Sequence, residues 1–191
     1  MSALQSIDFA QVWLRFFGET PPLAHVLRHD FFECWTRFHA LPEAKRYADT
    51  DDERAIVLCR ANKLATACFG ERTRIWVATG HFTDLPAEDD DITVRMNITK
   101  AMTWVDCSDR EEDQSEMTFF AVAFDWKPHA LDNLFVEIAN FQERAILFSQ
   151  ETRTVLAPYD GGFDIISLRP GLIGALESDY RAWMSTRPDR L

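Results

Sequence analysis

The sequence predicts an α+β protein in which a mainly antiparallel sheet carries about four helices, all within a single domain over residues 1–191. Helical patterns occur at both ends and in the middle of the chain, without the regular β-α-β alternation of a doubly wound sheet. Short apolar runs joined by turn residues near the C-terminus indicate antiparallel hairpins. Apolar side chains make up 47% and aromatic side chains 13% of the chain, so a sizeable core is available without a metal or disulfide.

The N-terminal elements are predicted from side-chain periodicity. The segment before Gly18 places aromatic side chains at helical spacing, with Ser6 or Asp8 as the N-cap and Gly18 as the stop. Trp13 lies on the apolar face of this helix, so we expect it to be buried. A proline turn follows, and residues 30–40 then alternate between two sets of side chains, which indicates a strand rich in aromatics.

A helix and two strands are predicted next. Thr50 and Glu53 match a capping box, in which each side chain accepts a hydrogen bond from the other residue's amide, and Gly70 ends the helix. Residues 72–79 and 117–126 indicate strands. The second of these is nearly all apolar, which predicts a central position covered on both faces.

The middle of the chain is bracketed by two acidic runs, residues 89–91 and 109–113, which we expect to be exposed. Between them, residues 92–107 are predicted to form one strand with a preceding loop. Pro128 is expected to open a helix that continues through Glu143, because apolar residues recur there on one side.

The C-terminal part predicts a small antiparallel unit followed by a helix. Residues 145–149, 154–157 and 163–168 indicate short strands joined by tight turns. The last helix is expected to begin near Pro170, and Pro188 prevents its continuation.

The charge balance restricts the class of partner. The chain has 20 basic and 31 acidic residues, and its net charge of −11 would repel a nucleic-acid backbone. We therefore expect no nucleic-acid partner, whereas a basic protein is a partner that this charge favours. The N-terminus lacks the features of a signal peptide, and no stretch approaches about 18 consecutive apolar residues. These observations predict a cytoplasmic protein that does not bind membranes.

The cysteines and known motifs indicate neither a cofactor nor a metal. No C-x-x-C pair occurs, and no histidine lies at zinc-ligand spacing from a cysteine, so reduced thiols are expected. The sequence also lacks the phosphate-loop, dinucleotide, zinc-protease and serine-hydrolase motifs, so nothing in it positively supports an enzyme. The four cysteines are Cys34, Cys59, Cys68 and Cys107.

A basic string interrupts this acidic chain. Arg37, Lys45 and Arg46 lie close together in sequence, with His39 among them. One interpretation is an anion site, because arginine binds phosphate or carboxylate in bidentate geometry and lysine adds a mobile charge. The alternative is that these side chains pair with the chain's own acids. His39 is a candidate general base by its ordinary pKa, or a structural histidine at a strand end.

A second motif, Tyr159-Asp160-Gly161-Gly162-Phe163-Asp164, lies between two apolar runs. Its Asp-Gly pair predicts a hairpin turn, because glycine accepts the positive φ that such turns demand. The two aspartates could instead donate carboxylates to a cation, but a calcium loop needs more oxygen ligands than this motif offers. We predict that this turn and the basic string are spatial neighbours, because their opposite charges attract.

These two motifs also carry a resemblance. The strings WTRFHALPEAKRYA and PYDGGFDII, with the helix end YRAWMS, resemble a bacterial family that is classed only as a domain of unknown function. Members of that family carry strings similar to RFHSLPESKRYA, with serines where this chain has Ala40 and Ala44. The resemblance implies a bacterial cytoplasmic α+β protein and transfers no catalytic or binding residue.

Two functions follow as hypotheses. The leading one is a non-enzymatic protein that acts by binding, such as an inhibitor or immunity partner of a basic protein. The other is a small-molecule or anion-binding domain, possibly enzymatic. Its residues would be Arg37, His39, Lys45, Arg46, Tyr159, Asp160 and Asp164. Convergence of these groups in a pocket would favour the second hypothesis, whereas pairing of the cations with acids would favour the first.

Overall fold

A computed structural model describes residues 2–82, 92–105 and 116–187, with side chains described from Phe9 onward. Within these residues the α+β class is confirmed, with six helices and one seven-stranded antiparallel sheet. The helices are α1 Ser2–Phe17, α2 Ala24–Asp30, α3 Asp51–Phe69, α4 Ile92–Arg95, α5 Asp132–Ala139 and α6 Leu172–Asp179. The strands are β1 Trp35–His39, β2 Thr73–Phe82, β3 Thr99–Val105, β4 Glu116–Trp126, β5 Ile146–Ser149, β6 Thr154–Tyr159 and β7 Gly162–Ser167. Short 3-10 helices cover Phe32–Cys34, Pro42–Ala44 and Arg181–Trp183.

The strands follow the order β1-β7-β6-β5-β2-β4-β3. The predicted C-terminal hairpins are confirmed, since β5, β6 and β7 pair antiparallel in sequence order. The expectation of a fully covered central β4 is wrong. This strand lies next to the edge strand β3, and several of its side chains are only half-buried.

Both faces of the sheet are covered by helices. One apolar cluster joins α3, α5 and α6 to one face, and a second joins α1 and α2 to the other. Trp13 lies at the centre of the second cluster and is fully buried, as its helical position predicted.

The estimate of about four helices is too low because two helices are very short. Residues 30–40 contain the end of α2, a 3-10 helix and only then β1, so the predicted strand is about half its expected length. Residues 92–105 contain α4 as well as β3. Helices of four and seven residues span too few turns to produce a recognisable apolar period. In the part of the chain that the structure describes, no helix is long and apolar enough to span a bilayer.

Helix α5 begins later than Pro128 because a buried side chain diverts the chain. The side-chain oxygen of Asn62 accepts a hydrogen bond from the backbone N–H of His129 at 2.6 Å, and His129 adopts a left-handed φ of 67°. The Asn62 amide group also donates to Asp132 at 2.7 Å, which links α3 to the first residue of α5. Phe141, with a φ of 60°, ends the helical region before Glu143.

The predicted N-cap of α1 at Ser6 or Asp8 is wrong, since α1 begins at Ser2, whereas the predicted glycine stops of α1 and α3 are confirmed. Gly18 and Gly70 take left-handed φ values after α1 and α3. The Thr50 hydroxyl accepts from the Glu53 amide at 3.2 Å, as in a capping box, but the Glu53 carboxylate accepts from the Asp49 amide at 2.7 Å. The acidic runs 89–91 and 109–113, and Cys107, lie outside the described residues. The other three cysteines are free thiols.

Candidate functional site

The turn between β6 and β7 lies beside the end of β1. In the β1–β7 pairing, Arg37 is opposite Asp164 and His39 is opposite Gly162. The predicted two-residue turn is confirmed, but its glycines are not required for a positive φ, because neither Gly161 nor Gly162 adopts one. Gly162 is required for another reason. A Cβ atom at this position would lie 2.2 Å from the Phe38 carbonyl oxygen.

We therefore predict that Gly162→Ala destabilises the protein by about 1–3 kcal/mol, because either the turn or β1 must move to relieve the overlap. Denaturant unfolding measures this change in the free energy of unfolding. Gly174→Ala in α6 is the control, since a Cβ there has no neighbouring atom within 4 Å, and it should be neutral or slightly stabilising. Equal unfolding midpoints for the two variants would contradict the prediction.

Arg37 and Asp164 form a buried ion pair at this sheet edge. The Arg37 Nε and Nη2 atoms donate to the two carboxylate oxygens of Asp164 at 2.7 and 2.8 Å. The Trp35 indole N–H donates to the same carboxylate at 3.0 Å, and Asp164 is only 2% exposed. The guanidinium also lies over the Tyr159 ring, 4.9 Å from its centre. Burial alone would lower the pKa of Arg37, but the bonds to Asp164 raise it above its ordinary value.

Arg46 holds the turn itself. Its Nε and Nη2 atoms each lie 2.7 Å from one carboxylate oxygen of the buried Asp160. The Tyr47 hydroxyl donates to the same oxygen at 2.9 Å, and this hydrogen bond raises the pKa of Tyr47. The turn is therefore joined to the basic string by two side chains from the loop between β1 and α3.

The remaining two residues of the string point elsewhere. Lys45 Nζ lies 2.6 Å from Glu53 and 2.8 Å from Asp49, so it links the loop to the start of α3. Burial lowers the pKa of His39, and Arg37 and Arg60 on either side lower it further. His39 is therefore neutral at physiological pH, and none of the described hydrogen bonds joins its ring to a nucleophile.

The predicted proximity of string and turn is confirmed, and all three cations of the string have carboxylate partners. The alternative interpretation, in which these side chains pair with the chain's own acids, is therefore the one that the structure supports. Each of the three cations already has a carboxylate partner in place of a bound anion.

A cavity of about 270 Å³ opens beside the turn, and Tyr159 and Asp160 form part of its wall. The start of α2, the end of β2 and the segment between α5 and β5 complete it. Its apolar walls include Ala78, Gly80, Phe82, Met117, Ile138 and Phe141. Of the seven predicted site residues, Tyr159 and Asp160 therefore line the cavity. Arg37 pairs with Asp164 and Arg46 pairs with Asp160 at the turn, Lys45 pairs with residues at the start of α3, and His39 lies opposite Gly162 without lining the cavity.

Two polar side chains that line the cavity, Thr79 and Glu143, are bonded within the protein. The Thr79 hydroxyl donates to the Arg144 carbonyl at 2.6 Å, and Glu143 accepts from Arg95 at 2.6 Å. Among the described residues, no three metal-ligating side chains gather into a group. The apolar part of the wall can accommodate an apolar side chain.

Sequence reasoning missed three contributors, namely Trp35, Tyr47 and Arg60. Trp35 lies two residues before Arg37 and so shares its face of β1, which is a pattern that the alternation already contained. Tyr47 directly follows the basic string. Arg60, which lies on α3, donates a hydrogen bond to the His39 backbone carbonyl at 2.8 Å, and no local sequence pattern indicates such a contact.

Comparison with known families gives one match. A family whose description is Domain of unknown function (DUF3885) matches residues 23–188, a range that begins after α1 and includes every strand. No curated protein and no solved structure matches the chain.

Proposed function

The chain belongs to the family described as Domain of unknown function (DUF3885), and we propose that it is a bacterial cytosolic protein that acts by binding a basic protein, in the manner of an inhibitor or immunity protein. The partner would dock at the sheet end where β2, β3 and β4 meet, and it would place an apolar side chain in the neighbouring cavity. This proposal rests on the distribution of charge along the chain.

The acidity is concentrated in two segments. Residues 83–91 and 106–115 together contain ten acidic residues and one basic residue, Arg110, so they carry nine of the eleven net negative charges. The described residues that flank these two segments are Phe82, Ile92, Val105 and Glu116. All of them except Ile92 are neighbours in the sheet. Phe82 pairs with Met117, and Val105 pairs with Glu116. The described residues Phe82, Val105 and Glu116, which flank these segments in the chain, therefore lie at one end of the sheet, and we propose that the acidic charge attracts a basic surface to this end and speeds association.

The cavity adds a place for an apolar anchor at the same end. Phe82 and Met117, which lie next to the acidic segments, also line the cavity. Phe82 is 48% exposed, and Phe141, which also lines the cavity, is 58% exposed. Protein interfaces commonly combine an apolar anchor in a pocket with complementary charge around it.

The rival hypothesis of an anion or small-molecule site at the basic string has weaker support. Its three cations are bonded to carboxylates, and the cavity is slightly smaller than the roughly 300–1,000 Å³ typical of ligand pockets. The string is better explained as the support of the turn that forms one cavity wall.

The test begins with a display library of random peptides selected on the intact chain. We expect the selected peptides to be rich in Lys and Arg with a large apolar residue. Replacing Asp109, Glu111, Glu112 and Asp113 with amides should slow their association roughly tenfold at low salt, and the difference should fade as salt screens the charges. Surface plasmon resonance at two ionic strengths measures these rates.

A matched variant separates local charge from net charge. It places amides at four exposed acids elsewhere, Asp52, Glu71, Glu151 and Asp179, and should associate almost as fast as the wild type. Phe141→Ala should speed dissociation, whereas Phe32→Ala, which removes a similarly exposed ring that does not line the cavity, should not. Equal association rates at low salt for the wild type and the first variant would refute the proposal.

A further inference from the structure

Arg60 is a buried arginine that has no acidic partner among the described residues. It lies on α3 and is only 8% exposed. Its Nη1 atom donates to the His39 carbonyl at 2.8 Å, and its guanidinium carbon lies 5.0 Å from the centre of the Trp183 ring. Among the described residues, no carboxylate forms an ion pair with it, in contrast to Arg37 and Arg46. Because a buried charge is costly without a counter-charge, Arg60 is incompletely satisfied by the protein itself.

A second cation lies at the same ring. Lys63 follows Arg60 by about one helical turn on α3, and its Nζ atom lies 5.9 Å from the centre of the Trp183 ring. Trp183 is held in place by stacking on Tyr180, with the ring centres 4.6 Å apart. Both positive charges lie against the same ring, so they repel each other, and an anion bound by both would relieve that repulsion.

Arg60 also retains donors for such an anion. A guanidinium carries five N–H donors in a planar fork, and within residues 2–82, 92–105 and 116–187 Arg60 donates one hydrogen bond, to the His39 carbonyl. None of its nitrogens is a buried atom without a partner, so the unbonded ones reach solvent. Burial lowers the pKa of Arg60, as expected for a cation that lacks a counter-charge.

We propose that Arg60 and Lys63, positioned against Trp183, bind an oxyanion, either a phosphate or a carboxylate group. The guanidinium would donate two parallel hydrogen bonds to the anion and the lysine would add a third charge-assisted bond. This site lies between α3 and the chain after α6, and it is independent of the protein-binding surface proposed above.

The test titrates the intact protein with sodium phosphate and, separately, with sodium acetate, each at constant ionic strength. We expect a saturable rise in the thermal midpoint and a saturable change in tryptophan fluorescence with at least one of them. In Lys63→Met and Arg60→Met the dissociation constant should rise roughly tenfold or more, because each variant removes a charge-assisted bond. Lys63 is exposed, so Lys63→Met keeps the test valid even where the variant of the buried Arg60 folds poorly.

Arg54→Met is the matched control, since Arg54 lies on the same helix and already pairs with Asp51. It should bind like the wild type. A response to phosphate alone assigns a phosphate site, and a response to acetate alone assigns a carboxylate site. Exclusion of phosphate from the protein surface stabilises any protein, but it would raise the midpoint of all variants equally. Such an equal rise, or the absence of saturation with either anion, would overturn the proposal.

Discussion

Replacing Trp13 with alanine is expected to lower the free energy of unfolding by about 3–5 kcal/mol. The indole is fully buried, and its ring centre lies 4.4 Å from that of Phe17 and 5.3 Å from that of Phe148. Its N–H donates to the Thr20 carbonyl at 2.8 Å, which closes the turn after α1. The variant would leave a large cavity between α1 and the sheet and would also remove this hydrogen bond.

Denaturant titration of Trp13→Ala against Leu14→Ala measures the effect. Leu14 is the next residue on the same helix, but it is half exposed, so its truncation should cost far less. The comparison also shows how much the sheet depends on α1, which precedes the residues matched by the family. A loss below about 1 kcal/mol for Trp13→Ala would mean that α1 is peripheral to the folded core.

The long elements could be predicted because their patterns repeat over several turns or pairs. The face of α1 and the strands β5 to β7 are examples, since local spacing alone specifies which side is buried. The start of α5 could not be predicted from local spacing, because it is set by a hydrogen bond between the His129 backbone N–H and the Asn62 side chain. Asn62 lies 67 residues earlier in the chain. The need for Gly162 was predicted for the wrong reason, since the close approach of Phe38 depends on β1 pairing with β7.

The candidate site shows the same division. Opposite charge in two motifs was enough to predict that the basic string and the turn meet. It was not enough to assign partners, because the register of β1 against β7 places Arg37 opposite Asp164 across 127 residues of sequence. The cavity was not predictable either. Its walls come from segments that are far apart in the chain and have no shared motif.

Removing the Asp164 carboxylate is expected to be as damaging as removing Trp13. In Asp164→Ala the Arg37 guanidinium and the Trp35 indole N–H lose their acceptor while both remain largely buried. Removing one partner of a buried ion pair lowers the free energy of unfolding by about 3–5 kcal/mol, because the remaining charge is left without compensation. Denaturant unfolding of the single variant measures this loss.

A double-mutant cycle identifies the cause of that loss. The double variant Arg37→Met/Asp164→Ala removes the uncompensated arginine charge together with its partner. The double variant should therefore be more stable than Asp164→Ala alone. The matched control is a second cycle with Arg74→Met and Asp125→Ala, an exposed ion pair between β2 and β4 whose charged atoms are 3.9 Å apart. Its coupling energy should be less than about 1 kcal/mol. Additive losses at Arg37 and Asp164 would show that the carboxylate acts through packing and its hydrogen bond with Trp35, and not through Arg37. In that case Arg46, rather than Arg37, would be the residue of the basic string that holds the turn beside the cavity.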